Sequence, residues 1–354
     1  MAYETVPRPT TGDLAIPPIL VKHAQAVAES LQRSALPTAS FTGGMIAYHM
    51  GWTDREGRPT ASLPGKLIRP ALCIWSCEAC GGSAEEALPA ANALEWVHNF
   101  TLVHDDIQDG DRERRGRETV WAIWGLAQGI NAGDALFARA FATLAKEGSH
   151  PERRLHATRL IADAVLVVVE GQALDLRFEG KPDTTLRAYL RMIRAKTGAL
   201  IGASLEAGAV MAGAGPEIST RLRHAGIALG TAFQIRDDWL GTWGDPATTG
   251  KSSSGDLGRC KLTYPVVAGY AAMRDADRTR LRELFAQASS GKSSNHPLQE
   301  IRTLLEAAGG AELTRAAPAR YAAKASAIVQ TCQLPHQQVQ QFNEVAHYVA
   351  NRCR

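Results

Sequence analysis

The sequence has no long hydrophobic run. Its longest apolar stretch, residues 164–169, falls far short of the roughly 20 residues that a membrane span needs. The first residues lack the basic-then-apolar form of a signal peptide, so the expected compartment is the cytoplasm. Charge of one sign is also scarce. Against 39 Lys and Arg stand 36 Asp and Glu, a formal charge of +3. That balance offers no bulk field for a nucleic acid or an anionic membrane, so basic residues must act locally. Six cysteines in 354 residues give no disulfide framework. Cys73, Cys77 and Cys80 share a helical spacing, but no His or fourth Cys accompanies them, so they read as reduced thiols in or near a core. Runs of alternating β-branched residues are missing too, which argues against a sheet.

What is present is helical periodicity, with 45% hydrophobic residues and Gly and Pro gathered between segments. Candidate helices run over 17–36, 38–51, 66–80, 84–106, 118–125, 129–147, 152–178, 185–213, 216–240, 261–273, 276–288, 297–308, 310–330 and 336–352. Residues 1–16, rich in Pro and Thr, form an expected flexible arm, and 289–297 an expected loop. No repeat or composition break divides the rest, so 17–354 is expected to be one all-α domain.

Two acidic clusters carry the chemistry. Asp105 and Asp109 sit at i and i+4, so on a helix both carboxylates leave one face a turn apart, with Asp106 beside them. Asp237 and Asp238 end a second helix that is apolar before it becomes acidic, as the first one is. Two core helices ending this way would bring both clusters to one mouth of a bundle. Crowded carboxylates call for a hard divalent cation, Mg2+ above all, shared with a substrate phosphate. Basic groups flank each cluster: Lys66 and Arg69 at i, i+3, Arg114 and Arg115, Lys196 on an otherwise apolar helix, and Lys251 and Lys261 around a Gly- and Pro-rich loop. A loop Lys beside such a cluster can close over a bound phosphate. His98 lies about two helical turns before Asp105, on the same face.

The segments GKLIRP (65–70), HNFTLVHDDIQDGDRERRG (98–116), AKTG (195–198), FQIRDDWLG (233–241) and GDPATTGK (244–251) resemble, in order and spacing, the trans-isoprenyl diphosphate synthases, or polyprenyl synthetase family. The resemblance covers about residues 60–270. It implies an isoprenoid-synthase helical bundle around a deep central cavity, head-to-tail joining of isopentenyl diphosphate to an allylic diphosphate, three Mg2+ ions and a homodimer. On that likeness Asp105 and Asp109, supported by Asp106, and Asp237 with Asp238, are the metal ligands. Arg114, Lys196 and Lys251, with Thr197, Gln234 and Lys261 nearby, hold the allylic diphosphate. Lys66, Arg69, His98 and Arg115 hold isopentenyl diphosphate. Phe100 and Thr101 sit about a turn below the cluster as a floor for the growing tail, and Trp96 offers a second stop. An aromatic at Phe100 without a two-residue insertion after Asp106 resembles synthases that stop at geranylgeranyl diphosphate, with farnesyl diphosphate the next choice.

Three positions depart from the pattern: Gly241 replaces a third Asp, Pro64 a Gly, and Glu118 a Pro. Asp245 or water could complete the shell that Gly241 leaves short. Two other readings remain, a cyclase using the same metal sites and a noncatalytic subunit of another synthase. The retained isopentenyl set argues against the first and the retained acidic clusters against the second.

Overall fold

The computed structural model describes residues 14–60, 67–146, 149–244, 259–289 and 296–353. Lys66, Lys251, Asp245 and Pro64 lie outside the described residues. In chain order the helices are α1 (Pro18–Val21), α2 (Ala24–Ser34), α3 (Phe41–His49), α4 (Ile68–Ala79), α5 (Ala84–Gln108), α6 (Val120–Trp124), α7 (Leu126–Ala145) and α8 (Pro151–Phe178). Then come α9 (Leu186–Ile193), α10 (Ala199–Ala212), α11 (Pro216–Trp243), α12 (Tyr264–Ala272), α13 (Asp275–Ser289), α14 (His296–Ala307), α15 (Gly310–Gln330) and α16 (His336–Asn351).

The fold is all-α, as the periodicity indicates, and differs from the expected elements in three places. The first helix breaks into α1 and α2. The stretch 185–213 is interrupted by a π-helical turn, Arg194–Gly198, between α9 and α10. Before α6 lies a small antiparallel hairpin, β1 (Glu113–Arg114) with β2 (Arg117–Glu118). Strands of two residues are too short to show a period of two in sequence. Their link, Arg115 and Gly116, has φ of 54° and 73°, the two left-handed residues of a tight hairpin turn. The Tyr48 hydroxyl donates to the Glu118 carbonyl at 2.9 Å, and the Arg117 guanidinium lies 4.1 Å over the Tyr48 ring, which pins the hairpin to α3.

The apolar α10 is the central post, packed against α4, α5, α8 and α11. Close approach to α4 depends on Gly208, where a Cβ would collide with the Cys73 carbonyl. α5 starts on a capping box: the Glu86 amide donates to Ser83 Oγ and the Ser83 amide to the Glu86 carboxylate. With that end fixed, the opposite end of α5 delivers its acidic residues to the mouth of the bundle.

α8 crosses the π turn so closely at Gly171 that any Cβ would strike the Lys196 backbone nitrogen. Gly171→Ala should therefore lower the free energy of unfolding by about 1–3 kcal/mol, the usual cost of overpacking. It should also displace Lys196. Denaturant titration reads the first effect, and a wild-type midpoint would refute the tight crossing.

Candidate active site

The last turn of α5 sets Asp105 and Asp109 side by side, and two ammonium groups come to meet them. Lys196 Nζ, carried by the π turn, lies 2.6 Å from Asp175 Oδ2 and 3.3 Å from Asp105 Oδ1. Lys261 pairs with Asp109 Oδ2, while the buried Asp109 Oδ1 has no hydrogen-bond partner. Burial works to raise the Asp105 carboxyl, but Lys196, Lys261 and Arg114 together hold it below the usual range. Asp109 is pushed up, by burial first and by Asp105 next. Burial opposes the charge on Lys196, yet Asp105 and Asp175 raise its ammonium above the usual value.

Asp106, one residue on, points elsewhere. It is 2% exposed and accepts from Arg114 Nε at 2.6 Å. Burial pushes its carboxyl up to about 6 despite that bond. Its visible task is to hold Arg114, whose guanidinium also stands 4.0 Å from Asp105.

On α11 the two aspartates also diverge. Asp237 lines the cavity and accepts from Arg352 at 2.5 Å, an arginine from the far end of the chain that stacks 4.0 Å over Phe233. Asp238 is buried, and both of its oxygens are engaged. Gln234 donates to Oδ1 at 3.0 Å, while Tyr189 Oη and the Tyr264 amide, at 2.7 Å, donate to Oδ2. Thr197 donates in turn to Gln234 at 2.7 Å, so this chain of bonds ties the π turn to α11.

A separate basic recess lies along α5. Arg69, His98 and Arg115 line the same cavity as the acidic clusters, and the buried Arg69 Nε has no partner. Glu95, 5% exposed, is held by Asn99 Nδ2 at 3.1 Å and leaves Oε2 buried without a partner. His49 meets the Asn99 side-chain oxygen at 3.1 Å. Burial, then the Arg69 and Arg115 charges, push the His98 imidazolium well below its ordinary pKa.

The cavity measures about 1530 Å³ and runs from these charges between α5 and α8. Thr101 and Phe100 line it, and the Phe100 ring packs against Phe137 at 5.2 Å. Trp96 does not serve as the expected second stop. It is fully buried and packs edge-on against Trp52 at 6.0 Å, away from the cavity lining. Nine residues at about 100° each put it half a turn away from Asp105.

Of the expected residues that are described, Asp105, Asp109, Arg114, Lys196, Thr197, Gln234, Asp237, Lys261, Arg69, His98 and Arg115 all line one cavity. Asp175, Tyr189, His49, Glu95 and Arg352 were missed. The Asp175 position on α8 and the chain-end position of Arg352 give no spacing signal, whereas Glu95, three residues before His98, and Asn99, one after it, stand on the same stretch of α5 and could have been found.

Among the described residues no three His, Cys, Asp or Glu side chains converge on one point. Mg2+ takes one or two protein carboxylates and completes its shell with substrate oxygens and water. The buried Asp109 oxygen without a partner is a donor that such an ion can take.

Residues 52–301 match the family model described as polyprenyl synthetase. The chain is 38% identical over 309 residues to a (2E,6E)-farnesyl diphosphate synthase of Mycobacterium tuberculosis, covering 87% of this chain and 85% of that one. It is 40% identical over 272 residues to a geranylgeranyl diphosphate synthase of the same organism, covering 77% and 76%. A crystal structure of a Caulobacter crescentus polyprenyl synthase complexed with calcium and isoprenyl diphosphate superposes with a TM-score of 0.83 at 28% identity, covering 98% of this chain and 100% of that one. The chain belongs to the polyprenyl synthetase family. By class it is a short-chain prenyl transferase.

The basic recess generates a pH dependence. Free imidazole takes its proton near pH 6.5, whereas burial and the Arg114 and Arg115 charges lower His49 to about 3. Between those values the unfolded chain binds more protons than the folded one. The His49 share of stability is therefore complete above pH 6.5 and is lost as the pH falls toward 3. Replacing it, as in His49→Asn, should flatten the decline in unfolding free energy through that window. An unchanged slope in denaturant titrations would mean that the imidazole is freely solvated.

Proposed function

We propose that the protein condenses isopentenyl diphosphate head-to-tail with an allylic diphosphate and releases geranylgeranyl diphosphate, working with Mg2+ as a homodimer. The observation that carries this reading is the pairing, in one cavity, of a carboxylate–ammonium mouth with a separate basic recess. A single-substrate cyclase has no use for the second anion site, and a noncatalytic subunit has no use for the first.

In this reading Asp105, Asp109 and Asp237 hold the metal ions, which when bound supply Lewis-acid charge against the leaving diphosphate. Asp106 and Asp238, with their oxygens taken by Arg114, Gln234, Tyr189 and the Tyr264 amide, act as anchors rather than ligands. Lys196, Lys261 and Arg114 turn from their carboxylates to the allylic diphosphate and meet the charge that develops as the C–O bond breaks. Arg69, His98 and Arg115 fix the isopentenyl diphosphate so that its double bond faces the allylic carbon. The double bond attacks that carbon, and the proton lost passes to the released diphosphate. The apolar wall keeps water from the cation. Phe100 blocks the tail about one turn below the acidic cluster, which supports a product of twenty carbons.

Incubation with Mg2+, isopentenyl diphosphate and each allylic diphosphate in turn, read by product mass, tests the reading. A diphosphate-free cyclic product would favour the cyclase, and absence of turnover the noncatalytic subunit. Asp105→Ala, Asp109→Ala and Asp237→Ala should each lower kcat by roughly 10²-fold or more. Near wild-type rates would remove the metal assignment. Arg69→Ala and His98→Ala should raise KM for isopentenyl diphosphate, whereas Lys196→Ala should slow ionisation of the allylic substrate. Equal effects on both substrates would refute two subsites. Phe100→Ala should lengthen the products, because the lost ring opens room for further units.

A further inference from the structure

The π turn is a partition between two cavities. Ile193, Lys196 and Thr197 line the large one, whereas Arg194 lines a separate pocket of about 310 Å³. The two cavities share no lining residue. α11 and α15 form the rest of the small pocket with one face each. His224, Ile227 and Thr231 stand at i, i+3 and i+7 on α11, and Tyr321, Lys324 and Ile328 repeat that spacing on α15. Small-molecule sites begin at roughly 300 Å³.

The polar groups of this pocket are donors. Arg194, His224, Lys324 and the Tyr321 hydroxyl converge on it, and among the described residues none of the four has a hydrogen-bond or ion-pair partner. No Asp or Glu lines it. Other cations on the same two helices do find acids: Arg221 pairs with Glu217, Arg223 with Glu206 and Arg315 with Glu312. Cations that face one another across a concave space repel. A ligand that relieves this carries negative charge and accepts hydrogen bonds without donating them. A phosphate group does both, and the Arg fork and the Lys ammonium each suit it. Ile227 and Ile328 give the pocket an apolar side for a short hydrocarbon part.

We propose that this pocket is a second anion site, for a free phosphate-bearing molecule with a short apolar part, and that its occupancy steadies the turn that carries Lys196. A ligand that draws Arg194 toward His224 and Lys324 ties the first residue of the turn to α11 and α15. The last residue of the turn, Gly198, is already seated on α11, where a Cβ would stand 3.2 Å from the Ile227 carbonyl oxygen. With both ends held, Lys196 has less freedom to lose when a diphosphate arrives in the large cavity. Linkage makes the effect reciprocal, so an allylic diphosphate tightens the occupant of the small pocket by the same factor. The coupling, though not the pocket, rests on the role proposed above for Lys196.

Calorimetry with 3-methylbutyl phosphate in metal-free buffer tests the site. Without metal the cations of the mouth are paired with carboxylates, which leaves the basic recess and the small pocket open to an anion. The expected result is two binding events per chain. Lys324→Glu should weaken one of them roughly tenfold or more, His224→Gln should weaken the same one, and Arg69→Ala the other. Lys324 and His224 are exposed and lie outside the large cavity, so both variants should keep the fold and the basal turnover. If Arg69→Ala removes all binding, or if neither pocket variant changes it, the second site is overturned. Loss of binding to anionic phospholipid vesicles in Lys324→Glu, with no loss for the free phosphate, overturns the small-molecule reading in favour of a lipid headgroup. For the coupling, 3-methylbutyl phosphate should tighten the Mg2+-dependent binding of unreactive geranyl thiolodiphosphate severalfold more in wild type than in Lys324→Glu. An equal change in both overturns it. If wild type elongates no prenyl chain, the reading of Lys196 fails, while the calorimetric count still decides the pocket.

Discussion

Negative charge crowded at the ends of two helices is the constraint from which the rest of this structure follows. The C-terminal end of a helix already carries a partial negative charge, and α5 places Asp105 and Asp109 there. Two carboxylates one turn apart, at an effective dielectric near 20, repel by about 3 kcal/mol. The fold answers with cations brought from remote parts of the chain: Arg114 from the hairpin, Lys196 from the π turn, and Lys261 from the segment before α12. Arg352 answers in the same way at Asp237. These pairs are not storage of stability for its own sake. In the proposed reaction their cations would meet a diphosphate, and their carboxylates would hold a divalent ion.

Irregularities of the backbone help to place two of those cations, Lys196 and Arg114. A regular α-helix through 185–213 would carry Lys196 on a different phase, and the π turn resets it, as such turns often do at functional sites. Gly171 lets α8 come close enough for Asp175 to reach that Lys. Arg115 in the left-handed region closes the hairpin that presents Arg114 and Arg115 on different sides. Strain of this kind persists only where surrounding contacts over-determine it, and here the Tyr48 contacts to Glu118 and Arg117 do so.

The sequence made the acidic pair legible because i, i+4 spacing states a shared face without any tertiary information. It made His98 legible for the same reason, at seven residues. The same arithmetic, applied at nine residues, places Trp96 on the opposite face, where the core holds it. Identity of letters misled at Asp238: a neighbour of Asp237 on a helix points about 100° away, and here into Tyr189 and Gln234. Asp175 and Arg352 were beyond reach for a different cause. Their partners lie 21 and 115 residues away, and only the packed fold brings them together. The β-hairpin was too short to leave a periodic trace, although the Arg115-Gly116 pair carried its turn chemistry.

Separation along one cavity lets the fold solve two problems independently. In the proposed reaction ionisation needs fixed charges in a drying site, and the mouth would supply them from helix ends. Termination there needs only volume, which the Phe100 ring of α5 would limit, resting on Phe137 of α7. In that reading a change at Phe100 would alter how far a tail extends without touching the groups proposed to break the C–O bond. Relatives of similar identity to this chain carry different product names, farnesyl and geranylgeranyl among them, as the proposed division would allow. On the proposed function, chemistry is held by electrostatics at one end and length by packing at the other. Packing is then the part that a single ring would reset.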